Sequence, residues 1–273
     1  MGDSRVTPGT AVAAATIELV VLDHDVERVG ALLDCGVGTF LVDWESLGKD
    51  ARQLGFDTEI RPGTAADLAA VAALPGVEAW CRVNSSGPHT PGEVEAAIAA
   101  GARGLFLPMV KRPADVDRFL SLVRGRAATG ILVETVEGLA CVEHLASYPL
   151  DRVYFGLNDF AISRGSRSIF SALVDGSVAR ARDAFAGTCF GVGGLTAADA
   201  GQPVPCRRLL EEMARLRCDF SFLRRSFRRD LATRSVHSTI AGIRSAWRDC
   251  VARDAAAVAR DHASLCTIIR DLA

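Results

Sequence analysis

The sequence has no apolar run approaching the roughly 18 residues that a membrane-spanning helix needs. It also has no charge excess, since 31 basic residues stand against 33 acidic ones for a net charge of −2. That balance removes the electrostatic case for nucleic acid or an anionic membrane surface as partner. Arg224, Arg225, Arg228 and Arg229 do cluster, so one face favours anions locally. No Cys-x-x-Cys pair occurs among the eight cysteines, which lie scattered at Cys35, Cys81, Cys141, Cys189, Cys206, Cys218, Cys250 and Cys266. Scatter of this kind argues against a disulfide framework and for a reduced, cytoplasmic protein. Within apolar runs such thiols serve as small hydrophobes. Residues 11–22 are apolar after Arg5, but Glu18 interrupts them, and they read better as a first strand than as a signal peptide.

One pattern is present throughout the 273 residues. Short β-branched or apolar runs at 17–23, 40–45, 78–84, 104–109, 130–135, 152–159, 189–194 and 220–227 alternate with Ala/Leu-rich amphipathic stretches. Those stretches include 25–33, 65–74, 91–100, 113–123 and 138–146. Helix-start signals agree, with Thr64 before the second stretch, Thr90 before Pro91 and Pro113 opening the fourth. Near-continuous apolar strands alternating with helices imply a parallel sheet covered by helices. Eight such units close most naturally into a (β/α)8 TIM barrel over residues 1–230, with an open doubly wound sheet as the alternative. The Ala- and Arg-rich tail, 231–273, reads as extra C-terminal helices that cap the barrel or pack on a neighbouring subunit.

Function in such barrels sits where the strands end. The second run ends Asp43-Trp44-Glu45 and the third Arg82-Val83-Asn84. The fourth ends Leu107-Pro108-Met109, the fifth Val133-Glu134-Thr135, and the sixth Gly156-Leu157-Asn158-Asp159. Glu134 and Asp159 follow apolar runs on adjacent strands, so their carboxylates should converge. Two like charges in a desolvated mouth need a proton or a cation between them. Hard oxygen ligands favour Mg2+ or Mn2+, and ion pairing with nearby arginines is the plainer alternative. Arg82 suits a bidentate grip on a carboxylate or a developing enolate oxygen, and equally an ion pair with Asp43 or Glu45. Asn84, Gly193, Gly194 and Arg225 join Arg82 as candidate substrate contacts. The last three belong to strand ends seven and eight, where barrels commonly hold a phosphate; a glycine turn with arginines paired at the rim is the alternative. Lys49 and Arg52 either bind a phosphate or lie on a solvated face.

These strand ends, taken in order from Asp43-Trp44-Glu45 to Gly156-Leu157-Asn158-Asp159-Phe160, resemble the HpcH/HpaI aldolase and citrate lyase β-subunit-like family. The resemblance implies a metal-dependent, homo-oligomeric barrel that makes or breaks a carbon–carbon bond beside a carbonyl, on a 2-oxo acid or acyl thioester. It places the metal ligands at Glu134 and Asp159 and the substrate-binding arginine at Arg82. One position departs from the family: Ser46 stands where the aldolase branch has histidine and the citrate lyase branch usually has aspartate. Asp43, Glu45 or a metal-bound water are then the candidate acid/base groups; His24 and His89 lie near strand ends without a clear role. An enolate-forming hydrolase or condensing enzyme on a coenzyme A thioester, and a barrel retained as a binding or assembly subunit, are the other readings.

Overall fold

The computed structural model describes residues 15–47 and 62–272. Eight parallel strands close on themselves: β1 Glu18–Val21, β2 Thr39–Asp43, β3 Glu78–Arg82, β4 Gly104–Leu107, β5 Ala128–Val133, β6 Arg152–Phe155, β7 Cys189–Val192 and β8 Phe220–Leu223. Closure is made by β8 pairing with β1, Val20 opposite Phe222, so the open-sheet alternative is excluded. Each of the eight expected apolar runs overlaps one of these strands, β2 and β5 starting one and two residues earlier than expected.

Side chains alternate across a strand with a period of two, and the two faces bury different cores. Val20, Leu41, Trp80, Phe106, Leu132, Tyr154, Phe220 and Phe222 fill the barrel interior. Their strand neighbours, among them Val21, Val42, Cys81, Leu105, Val133, Phe155 and Val192, face the surrounding helices. Burial on both faces is why the strands are apolar almost without interruption. The interior is crowded: a Cβ on Gly104 would lie 2.6 Å from the Trp80 ring, and one on Gly130 would lie 2.4 Å from Phe106. Arg152 closes the lower end, its guanidinium 4.8 Å from the Trp80 ring centre and its Nη1 2.9 Å from Glu18 Oε1.

The helices start where local chemistry directs. Asp25 accepts from the backbone N–H groups of Glu27 and Arg28 at the start of Val26–Asp34, and Thr64 forms a capping box with Asp67. Pro113 opens Pro113–Val123. The stretch expected at 138–146 is two short helices, Val136–Ala140 and Val142–Leu145, jointed at Cys141. The run expected at 152–159 stops at Phe155, because Gly156 is the N-cap of a helix, Leu157–Ser163. Asn158 and Asp159 therefore sit on a first helical turn rather than on a strand.

The tail divides in two. Val236–Val251 packs against both Cys206–Arg215 and Val26–Asp34, which makes it the eighth outer helix of the ring. Ala255–Arg270 packs on Cys206–Arg215 from outside, through Leu265 and Ile269. Within the tail, Ala255–Arg270 is thus the helix that lies outside the ring. All eight cysteines are free thiols. Among the described residues no helix is long and apolar enough to cross a membrane.

Candidate active site

The alternation that fills the interior also builds the mouth. Two residues beyond Leu41, Trp80, Leu132 and Tyr154 come Asp43, Arg82, Glu134 and Gly156, one layer higher on the same inward face. Register then sets the neighbours. Asp43 is directly opposite Arg82, and Val133 opposite Phe155 brings Glu134 alongside Gly156.

Asp43 and Arg82 meet in a two-point contact: Nε donates to Oδ1 at 2.9 Å and Nη2 to Oδ2 at 2.7 Å. The remaining guanidinium nitrogen, Nη1, lies 3.3 Å from Glu45 Oε2. Asp43 Oδ1 also accepts the backbone N–H of Glu45 at 3.1 Å. Burial opposes the charge on Arg82, but Asp43, Glu45 and Glu134 together hold its pKa well above the ordinary arginine value.

Glu134 is buried, and its Oε1 accepts the backbone N–H of Met109 at 2.8 Å. Met109 adopts φ +55°, a left-handed geometry that a non-glycine residue takes at a cost of about 1 kcal/mol or more. That geometry belongs to the loop that delivers the N–H to the carboxylate. Thr135 secures the same corner, its hydroxyl donating to Val110 O at 2.7 Å and accepting the N–H of Gly138 at 2.9 Å. Gly156 supplies space: a Cβ there would lie 2.4 Å from Glu134 Oε2 and 2.8 Å from Glu134 Cβ. Burial, then the carboxylates of Asp159 and Glu45, push the Glu134 pKa well above the usual carboxylate range, against the pull of Arg82 and the Met109 N–H. Tyr154, in the layer below, is pushed up in the same way by burial and by Glu134.

The mouth therefore gathers three carboxylates, Asp43, Glu45 and Glu134, around the Arg82 guanidinium, with Asp159 beside Glu134. Asp43 and Glu45 are engaged by Arg82, whereas Glu134 and Asp159 repel each other. The pair is a set of hard oxygen donors with neither thiolate nor imidazole, which fits Mg2+ or Mn2+ rather than a softer metal. Among the described residues no group of three or more His, Cys, Asp and Glu side chains is placed to hold a metal. Two protein carboxylates with the other positions open is a common arrangement for Mg2+, which keeps several waters and takes oxygens from substrate.

Other expected contacts fall differently. Asn84 is taken up by the β2 loop: its Oδ1 accepts from Ser46 N at 2.9 Å and Leu47 N at 2.8 Å, and its Nδ2 donates to Trp44 O and Glu93 Oε1. Gly193 has φ +84° and turns its carbonyl to the Tyr154 hydroxyl, which donates to it. A Cβ on Gly194 would lie 2.5 Å from Arg224 Cγ, so this glycine lets the arginine stem cross the backbone. His89 bonds Ser85 O through Nε2 at 2.8 Å within its own loop. Lys49, Arg52 and the side chain of Arg225 lie outside the described residues. Sequence reasoning missed Met109 as a backbone donor, Thr135 as a latch and Gly156 as the gap for Glu134. Gly156 had a signal available, since it continues the inward parity of Tyr154 at a strand end.

No family model matches this chain, and no curated protein matches it. The barrel is similar to a solved citrate lyase from Burkholderia xenovorans LB400, with 15% identity over 89% of this chain and 80% of that one, and a TM-score of 0.59. It is similar to citrate synthase SbnG, with 16% identity over 80% and 90% of the two chains and a TM-score of 0.58. It is as similar to tryptophan synthase from M. tuberculosis, with 17% identity over 86% and 94% and a TM-score of 0.59. Identities this low establish the (β/α)8 fold and leave the chemistry to the mouth.

Proposed function

We propose that this chain is a divalent-metal-dependent carbon–carbon lyase or aldolase that works through the enolate of a 2-oxo acid or an acyl thioester. The observation that carries the reading is the buried Glu134 carboxyl beside Asp159, with its pKa raised by burial and by that neighbour. A site that keeps two mutually repelling carboxylates together, and reserves room for one of them with Gly156, is suited to a cation. Mg2+ or Mn2+ bound there would supply Lewis-acid polarisation of the substrate's carbonyl and carboxylate oxygens.

The chain's own residues account for the remaining work. Arg82 has five N–H groups; two bind Asp43 and one faces Glu45, which leaves two for a substrate oxygen that gains negative charge. Asp43 fixes the guanidinium plane, so its role is to position Arg82 rather than to move protons. Glu45 makes a longer contact with Arg82, lies beside Glu134, and is the carboxylate best placed to carry a proton to or from the substrate carbon. Ser46 is exposed, and its backbone N–H, held by Asn84, is the part that shapes the loop.

The test combines calorimetric titration of Mn2+ with deuterium exchange into pyruvate and into acetyl-coenzyme A. Wild type should bind Mn2+ and exchange one of the two; Glu134→Gln and Asp159→Asn should lose binding with the fold retained. Glu45→Gln should keep Mn2+ affinity and lose exchange, while Ser46→Ala should change neither. Exchange of the thioester alone would favour the hydrolase or condensing-enzyme reading. Mn2+ affinity unchanged in both ligand variants, with no exchange by wild type, would remove the lyase reading.

A further inference from the structure

The Ala255–Arg270 helix carries a second chemical arrangement, outside the barrel ring. His262 and Cys266 are one helical turn apart and share a face. His262 Nε2 lies 3.6 Å from Cys266 Sγ, and its Nδ1 lies 2.9 Å from Glu212 Oε2 on the Cys206–Arg215 helix. Glu212 is itself fixed: its side chain is 1% exposed, and Arg215 grips both oxygens, Nε at 2.9 Å and Nη2 at 2.6 Å. A carboxylate held this way fixes the imidazole, keeping a proton on Nδ1 and turning Nε2 to the thiol. Nucleophile, base and orienting carboxylate thus stand in order, the relationship that activates a thiol. Arg215 also acts electrostatically on Cys266, so a guanidinium charge favours the thiolate as it forms.

Other partly exposed thiols lack this setting. Cys141 Sγ points at the carbonyl oxygens of Lys111 and Gly138, and burial pushes its pKa up. A helix merely fastened by an ion pair would need His262 and Glu212 but not a cysteine facing the far ring nitrogen.

We propose that Cys266, His262 and Glu212 form a reactive-thiol site that takes small disulfides by thiol–disulfide exchange. His262 Nε2 accepts the Cys266 proton, and Sγ attacks one sulfur of the disulfide. The S–S bond breaks as the Sγ–S bond forms, and the departing thiolate takes the proton back from His262. Cys266 is oxidised to a mixed disulfide, and half of the reagent leaves reduced as a free thiol. The added group then sits at the seam between the Ala255–Arg270 and Cys206–Arg215 helices.

The test treats the full-length native protein with oxidised glutathione at pH 7 and follows each cysteine by peptide mass spectrometry. Cys35 and Cys141, also partly exposed, are internal references. A base within reach of the thiol removes its proton as the sulfur attacks, which sets an expected advantage for Cys266 of at least about threefold over thiols without one. His262→Gln should bring Cys266 to the reference rate. His262 is partly exposed, 32% for its side chain, and glutamine can still donate to Glu212, so this variant keeps the fold. A Cys266 rate no faster than Cys35 and Cys141, or one unchanged in His262→Gln, would overturn the proposal.

Discussion

Replacing Gly156 with alanine tests the mouth by adding one methyl group. Gly156 has φ −84° and ψ 97°, an extended backbone that alanine adopts freely. If the site were merely a helix N-cap with room around it, Gly156→Ala would leave stability within about 1 kcal/mol of wild type, the lower entropy of the unfolded chain offsetting alanine's weakness as an N-cap. The structure gives a larger loss. The new Cβ would lie 2.4 Å from Glu134 Oε2 and 2.8 Å from Glu134 Cβ, whereas ordinary contacts begin at 3.4 Å. Glu134 Oε2 must therefore move by about 1 Å, and the Cβ contact cannot be relieved by rotating the end of the side chain. Forcing a methyl group into a packed site costs about 1–3 kcal/mol. The displaced carboxylate is also one of the two proposed metal ligands, and changes that reorient a ligand lower metal affinity by roughly 10- to 100-fold. Urea unfolding of the metal-free protein reads the first quantity, and Mn2+ calorimetry reads the second. A variant as stable as wild type that binds Mn2+ equally well would refute both the tight contact and the assignment of Glu134.

Gly242→Ala is the matched contrast: nothing lies within 4 Å of its Cβ inside the Val236–Val251 helix, so it should stabilise by about 1 kcal/mol in the same urea assay. Arg82→Lys should lower turnover about a hundredfold, roughly 3 kcal/mol, because an ammonium cannot hold Asp43 at two points and still reach the substrate; steady-state kinetics that match wild type would reduce Arg82 to an ion-pair partner. Glu134 predicts a pH effect. Its folded-state pKa lies above the unfolded value, so its share of metal-free stability is complete below about pH 4.5 and is lost as pH rises through the folded pKa. Saturating Mn2+ at 100 times its Kd should restore about 2.7 kcal/mol at the alkaline end, and Glu134→Gln should abolish both effects in pH-resolved unfolding curves.

The barrel was legible because its strands are buried on both faces. A run such as Gly104–Leu107 or Arg152–Phe155 is apolar along nearly its whole length, and the helices between supply the other half of the pattern. Strand ends were less legible than strand positions. By composition the sixth run continues from Arg152 to residue 159, because Gly156-Leu157-Asn158-Asp159 contains no polar break before Asn158. Gly156 ends the strand through helix capping, and composition does not show that. In the tail, helical patterning gives a helix but not its neighbours, so capping and subunit packing are equally compatible with the sequence. Arg244 shows what the pattern omitted: its guanidinium donates to the carbonyls of Cys35 and Gly36, behind the first barrel helix, at 2.7 Å each.

At the mouth, sequence alone located the polar side chains but not how they divide the work. Asp43 and Glu45 look equivalent as an acidic pair two residues apart on one face. Register separates them, since it sets Asp43 squarely against Arg82 and leaves Glu45 the longer contact. Asn84 looks like a substrate ligand until the backbone it serves is seen. Its carbonyl oxygen holds the N–H groups of Ser46 and Leu47, so the path of the β2 loop depends on Asn84 and not on which side chain occupies position 46. Position 46 therefore contributes its backbone rather than its side chain to this corner of the mouth. With Ser46 exposed, the proposed proton carrier is a group already turned inward, and Glu45 is buried beside Arg82 and Glu134.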